Sequence, residues 1–412
     1  MKVSLKINMY GFGASYTDAL LRRLCKLSGV DIVDENIAEM FFVSMCDPFD
    51  IRLLMNTRKI ANGRPIVMGG FESYFATPLM AWADFAVIGE GFDFFNAIKS
   101  GQDWRTLPCI LTREGTARAS YNINWNEWPL IKTGPKKMYY LAGRGCHNKC
   151  RFCAVSWAQP YTQQSITNLK MAMRQAQKAK CGLTFISNSS RGIPRFKGIN
   201  SASVTIRDYL NNPKEYKSLM LRFGIEGWTE LERRAYGKPI SDDDIAHLFS
   251  VTAENKQRCE LFTIVGRTGW GLDNVRDFAA RIPQDTNLFP PVFLKATYFE
   301  PYPHTPLARE CPATEYADTD KMFRILNARN KRIRVLRTRS LARSNWRTVL
   351  HRCTPDQAMR LGGEPSDINN PQSRIEFLKK LFKIKLELAE KIDFDPCKNI
   401  KVNTGIKIED IK

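Results

Sequence analysis

Apolar positions over the first hundred residues change period in a regular way. Residues 2–9 alternate apolar and polar side chains, the two-residue period of a strand. Residues 17–27 put Leu20, Leu21 and Leu24 on one side of a helix. Met40, Phe41, Phe42 and Val43 form an unbroken apolar run, which suits a parallel strand buried on both faces. Residues 51–61 are again helical in pattern, and residues 65–70 and 84–91 read as strands ending in turns. Strand and helix at this spacing predict an open, mostly parallel sheet. Gly69, Gly70, Gly89 and Gly91 close its strands at the edge where ligands sit in such folds, although tight turns alone would account for them equally well.

Residues 106–135 mix Trp, Pro and Asn irregularly and read as a linker. A second alternating run follows. It has strands at 138–142, 183–187, 219–225, 260–265 and 292–299, and helices at 166–178 and 242–250, the latter behind Ser241 as N-cap. This is the pattern of a partial β/α barrel. Further on, residues 373–392 look like an amphipathic helix with Phe377, Leu378, Leu381, Phe382, Ile384 and Leu388 on its apolar side. The predicted class is therefore α/β: an N-terminal Rossmann-like parallel sheet at 1–105, the linker, a central partial barrel at 136–312, and a basic, mainly helical region at 313–412.

Composition changes this picture little: 43% apolar and 25% charged residues over 412 positions are ordinary for a globular chain. No run of apolar residues is long enough to span a membrane, and the first residues lack the apolar core and cleavage site of a signal peptide, so a cytoplasmic location is expected. Charge matters more. The chain has 62 Lys and Arg against 42 Asp and Glu, a net +20, which points to a polyanionic partner, most simply nucleic acid; a generally basic soluble protein is the plainer reading. Residues 321–355 contain no Asp or Glu at all. There Arg337, Arg339 and Arg343 are candidates for phosphate contacts and Trp346 for stacking on a base, against the alternative of a solvated helix face balanced by acidic surface elsewhere.

The strongest chemical signal is Gly145-Cys146-His147-Asn148-Lys149-Cys150-Arg151-Phe152-Cys153, just after a predicted strand. Three thiols at Cys-x3-Cys-x2-Cys spacing are soft ligands suited to iron–sulfur chemistry, and a [4Fe–4S] cube held by three of them keeps one iron open for a small molecule. Zinc would call for a fourth ligand nearby, and His147 sits between the thiols. The remaining cysteines are scattered and form no second motif. In a cytoplasmic chain they read as free thiols.

These residues resemble the cluster motif of the radical S-adenosylmethionine (radical SAM) family. The resemblance implies a [4Fe–4S] cluster on Cys146, Cys150 and Cys153, with Phe152 near the adenine of SAM. It further implies that SAM binds the open iron and is cleaved by one electron from a donor such as flavodoxin or ferredoxin. The resulting 5′-deoxyadenosyl radical abstracts hydrogen from the substrate. Residues 221–227, followed by Arg233, Arg234 and Lys238, are similar to the cobalamin-binding-type branch, in which a Glu approaches the SAM ribose and an Arg its carboxylate; here these are Glu226 and Arg234. Gly266, after the run 262–265, resembles the strand that backs the adenine, and residues 299–306 resemble that branch's closing segment.

Two departures stand beside the likeness. Ser187-Asn188-Ser189-Ser190 occupies the place of the usual Gly-Gly-Glu for the methionine amino group, leaving Ser187 as the candidate there. Residues 1–146 contain no histidine, so the usual lower cobalt ligand is missing and cobalamin is not expected, though binding without that ligand stays open. A radical SAM enzyme acting on a nucleic-acid base, DNA in the first place, follows from these features together. One form would be a phage isomerase moving a glycyl group from nitrogen to carbon linkage on hypermodified thymine. The alternatives are a cobalamin-dependent methylase or cyclase of a small molecule or peptide, and a non-catalytic iron–sulfur nucleic-acid-binding protein.

Overall fold

The computed structural model describes residues 1–7, 14–46, 51–189, 201–216, 220–266, 272–282, 291–310, 333–337 and 341–363, with isolated positions at 324–328 and 373–388. The chain forms two compact units, one of Met1–Arg144, Ala158–Ile186 and Leu350–Ile384, the other of Gly145–Trp157, Ser187–Val349 and Lys385–Lys412. Both are α/β, as the periodicity predicts.

In the first unit, strands β1 (Lys2–Ile7), β2 (Asp31–Ile32), β3 (Met40–Ser44), β4 (Ile66–Gly69), β5 (Phe85–Val87) and β6 (Ile110–Leu111) form a sheet in the order β2-β1-β3-β4-β5-β6. All neighbours are parallel except β5 and β6. Every residue of β3 is buried, as its apolar run requires. The turns after β4 and β5 need glycine. Gly70 has φ 95° and a Cβ there would lie 2.5 Å from the Met45 carbonyl oxygen; Gly89 has φ 91° and would meet the Ser120 carbonyl oxygen at 2.1 Å.

The segment expected to be a linker is part of this unit. It supplies β6 and a bridge between Gly89 and Ser120, and its Trp128 and Ile131 are buried in the same core as Phe42 and Phe95. Its irregular composition hid a short edge strand and two core anchors. A second, small sheet in the same unit has the order β11-β8-β7, from β7 (Ile131–Gly134), β8 (Lys137–Leu141) and β11 (Gly182–Ile186). The short strands β9 (Gly143–Arg144) and β10 (Thr162–Gln163) pair antiparallel beside it in sequence.

In the second unit, β12 (Ser201–Ser203), β13 (Met220–Glu226), β14 (Cys259–Val265), β15 (Val292–Tyr298) and β16 (Ile333–Arg337) form an all-parallel sheet in sequence order. Alternation along these strands separates two faces. Leu221, Phe223, Ile225, Leu261, Leu294 and Ala296 share a core with Leu248 and Phe249 of helix Asp242–Glu254 and Phe278 of helix Leu272–Ala280. Ser241 and Asp244 form the capping box that starts helix Asp242–Glu254, the N-cap expected from sequence. The other face carries the cavity described below. The basic region, expected to be mainly helical, contributes strand β16, whose neighbour is β15, before helix Leu341–Leu350. Among the described residues no helix is long and apolar enough to cross a membrane.

Candidate functional site

The cysteine loop begins at Gly145, whose φ of 67° turns the chain out of β9. Cys146 and Cys150 are buried and Cys153 is partly so, while His147 is exposed. The loop is clamped by hydrogen bonds within it and to neighbouring segments. Cys153 N–H donates to the Cys150 carbonyl (3.2 Å), and that carbonyl also accepts from Trp157 Nε1 (2.9 Å). Lys149 Nζ donates to the Ser156 carbonyl (2.9 Å). Arg151 N–H donates to the Tyr236 carbonyl (3.0 Å), and Leu307 N–H to the Arg151 carbonyl (3.2 Å). Burial pushes the Cys150 thiol up to about 11, against the positive charge of Lys238, and the neighbouring Cys153 and Cys146 push in the same direction as burial. Cysteines hold metal as thiolates, so binding at this loop would be coupled to proton release. The donor set fits an iron–sulfur cluster: three thiols on one clamped loop, with an ammonium in their electrostatic reach.

Glu226 ends β13 in the left-handed region, with φ 62°, and is 8% exposed. Its strain is held by the fold: the register with β14 shifts between Gly224 and Glu226, and the Thr263 hydroxyl donates to the Glu226 carbonyl (3.1 Å). Lys238 Nζ lies 3.4 Å from Glu226 Oε1. Gly224 leaves the room for this pair, because a Cβ there would fall 2.3 Å from Glu226 Oε1 and 3.0 Å from Lys238 Nζ. Burial raises the Glu226 carboxyl above its ordinary range, and Lys238 opposes that.

Arg234 is placed elsewhere. It makes an i,i+4 ion pair with Glu230 (2.7 Å) and its side chain is 68% exposed. Arg233, fully buried, is a staple: it donates to the carbonyls of Ile240 (2.9 Å) and Trp228 (3.0 Å) and to Asp242. Lys238 is therefore the cation that accompanies Glu226. No spacing rule singles it out from the two arginines before it.

A cavity of about 480 Å³ is lined by Phe152, Glu226, Phe262, Ile264, Thr297, Phe299, Glu300 and Tyr302, with Tyr298 also contributing. It brings together the loop aromatic and the acid that ends β13, both expected at one cofactor, and adds the closing segment. Phe152 packs edge-to-face on Tyr236 (5.6 Å). At the other side Glu300 is paired with Arg347 (3.2 Å), whose side chain is 4% exposed, and accepts from the Ser344 hydroxyl (2.8 Å). Arg347 also reaches the Tyr302 hydroxyl.

The remaining candidates are dispersed. Ser187 closes a local turn, donating to the Ser189 carbonyl (2.7 Å) and accepting from its N–H (3.2 Å). Gly266 follows β14 with φ 81° and is buried. Arg339 lies outside the described residues; Arg337 ends β16 and Arg343 lies in helix Leu341–Leu350, with their side chains outside the described set. Trp346 is 0% exposed, which corrects its reading as a stacking platform: the ring is a core residue of its helix and offers no face to a base.

The first unit has a cavity of its own, of about 270 Å³, at the carboxyl ends of β3, β4 and β5. Leu20, Phe42, Phe92, Phe95 and Trp128 line it, with Ser44, Gly69, Gly70 and Gly89 at the strand ends. Arg144 and Glu90 form an ion pair on its wall (2.9 Å). The unit's His351 is buried against Glu72 (3.1 Å) and Phe75 and does not line the cavity. Among the described residues the walls fit an apolar ligand or part of one and include no imidazole.

No protein-family model and no curated protein matches this chain. Among solved structures, the radical S-adenosylmethionine methyltransferase TsrM from Kitasatospora setae shares its fold. The form with cobalamin and a [4Fe–4S] cluster bound gives a TM-score of 0.55 at 13% identity over 75% of this chain and 77% of that one. The form with tryptophan substrate and a SAM analog gives 0.54 at 13% identity over 75% of each chain. The cobalamin-dependent S-adenosylmethionine radical enzyme OxsB overlaps less well, with a TM-score of 0.49 at 12% identity over 79% of this chain and 55% of that one.

Proposed function

We propose that this protein is a radical SAM enzyme, with a [4Fe–4S] cluster on Cys146, Cys150 and Cys153 and SAM in the neighbouring cavity. The observation that carries the reading is that Phe152, within the cysteine loop, and Glu226, at the end of β13, line one cavity. When bound, the cluster and SAM supply a one-electron cleavage that yields a carbon radical. The chain's own residues do the rest. Phe152, packed on Tyr236, offers an apolar surface to a purine, and Glu226 offers acceptors to ribose hydroxyls. Phe262, Ile264 and Phe299 exclude water from the space in which a radical would act.

The +20 charge makes a nucleic acid the first substrate class to test. Within that class, isomerising a glycyl-modified thymine begins with hydrogen abstraction beside an amine and needs no further cofactor. The second reading is cobalamin-dependent methyl transfer. It is favoured by the apolar cavity at the strand ends of the first unit and by the fold shared with TsrM. Sequence alone argued against cobalamin on the missing histidine; the likeness to a cobalamin-bound structure reopens it.

Anaerobic reconstitution, reduction and assay of 5′-deoxyadenosine with DNA, RNA or no polymer test the main reading. Formation stimulated by one polymer supports it. No formation with a verified cluster overturns it. Retention of added cobalamin, with methyl transfer in place of hydrogen abstraction, moves the assignment to the second reading.

A further inference from the structure

Lys238 sits where two parts of the site meet. Tyr236, Gly237 and Lys238 are packed on the cysteine loop: Arg151 N–H donates to the Tyr236 carbonyl (3.0 Å), and a Cβ on Gly237 would lie 3.2 Å from the Lys149 carbonyl oxygen and 3.4 Å from Arg151 N. Gly237 takes φ 76°, so the turn that delivers Lys238 is built for this close approach. The backbone of Lys238 is fixed on both sides, its N–H donating to the Arg233 carbonyl (2.8 Å) and its carbonyl accepting from Ile240 N–H (2.8 Å). Its ammonium is 3.4 Å from Glu226 Oε1, and the side chain is 20% exposed. Burial works against its charge, while the Glu226 carboxylate beside it raises its proton affinity above the ordinary lysine value. A partly buried ammonium acts on nearby charge far more strongly than a solvated one.

We propose that Lys238 is a positioning residue that tunes the redox potential of the cluster, its positive charge favouring the reduced state while Glu226 moderates it. The inference rests on the reading of Cys146, Cys150 and Cys153 as cluster ligands. Adding one electron to a thiolate-held cluster adds negative charge beside the loop. A fixed ammonium stabilises that state; a fixed carboxylate opposes it. The two side chains therefore act with opposite sign on one equilibrium, which a purely structural role would not do.

The test is an EPR-monitored redox titration of the reconstituted full-length protein without SAM. Lys238→Met is expected to lower the ratio of reduced to oxidised cluster at a fixed potential about tenfold, a shift of about 59 mV to more negative values for a one-electron couple. Glu226→Gln is expected to shift the potential the other way, and Lys238→Arg to stay near wild type. Lys238→Gln carries the same test should Lys238→Met fail to take up iron. Equal potentials in the wild type and in the loaded Lys238 and Glu226 variants overturn the role of Lys238 and leave the cluster reading standing. A wild-type protein that takes up no reducible cluster overturns both.

Discussion

In the first unit the carboxyl ends of three parallel strands open on Phe42, Phe92, Phe95 and Trp128, and the charged pair Glu90 and Arg144 is consumed in the wall. In the second unit a parallel sheet of the same kind opens on Glu226, Glu300 and Tyr302, with a clamped loop of three cysteines supplying Phe152 to the wall. Both follow the rule that ligands gather at the carboxyl edge of parallel strands. They differ in what the last residue of each strand brings. Glycine and serine after β3, β4 and β5 clear space, and a strained carboxylate after β13 fills space with charge. The rule locates a site, and the side chains at its edge decide whether the site presents apolar surface or charge.

The largest expected effect separates the two cavities completely. Alanine at Cys146, Cys150 or Cys153 abolishes bound iron and sulfide and with them all 5′-deoxyadenosine formation, while unfolding of the metal-free protein, followed by circular dichroism, stays near wild type. Full iron content in any of these variants would break the assignment of the loop.

Next in size is Trp346→Ala. A buried indole costs about 3–5 kcal/mol on truncation, so stability measured in urea should fall by that amount. A change of less than about 1 kcal/mol would place the ring outside the core.

Ser44→Phe probes the first cavity alone. Ser44 is 5% exposed at the end of β3 and lines the cavity, so a phenyl ring there would take up part of its space. If the cavity holds part of cobalamin, affinity should weaken about tenfold or more, or ~1.4 kcal/mol, with iron content unchanged. Unaltered cobalamin binding would remove that cavity from the second reading.

The smallest effect sharpens the chemistry of the loop. In metal-free protein Cys150 is held up to about 11 by burial, and the thiolate is the reactive form. Its alkylation rate should rise about tenfold per pH unit from neutral pH toward that value and flatten above it. Reconstitution should block the reaction. A rate that already flattens at pH ~9 would show the thiol exposed to water.

Some of this was legible in the sequence for a local reason. The strand and helix alternation, the Ser241 cap and the cysteine spacing each lie within one short stretch, where period and spacing are set by backbone geometry. The segment 106–135 was misread because β6 has two residues and its anchors, Trp128 and Ile131, are isolated apolar positions, so no period develops. Within the basic stripe Trp346 was misread, because charge and spacing along a sequence do not say which side chain turns inward: Trp346 and Arg347 are buried, and Arg334 is exposed.

What the sequence by itself determined was that thiols, an aromatic and parallel strands occur in this order, because each depends on neighbours within a few positions. Only the tertiary structure decided that Lys238 and not Arg234 stands beside Glu226, that Arg233 staples a turn, and that Trp346 is core. Successive helical residues point about 100° apart, so adjacent arginines face different surroundings. Which surroundings each one meets depends on strands and loops far away in the chain.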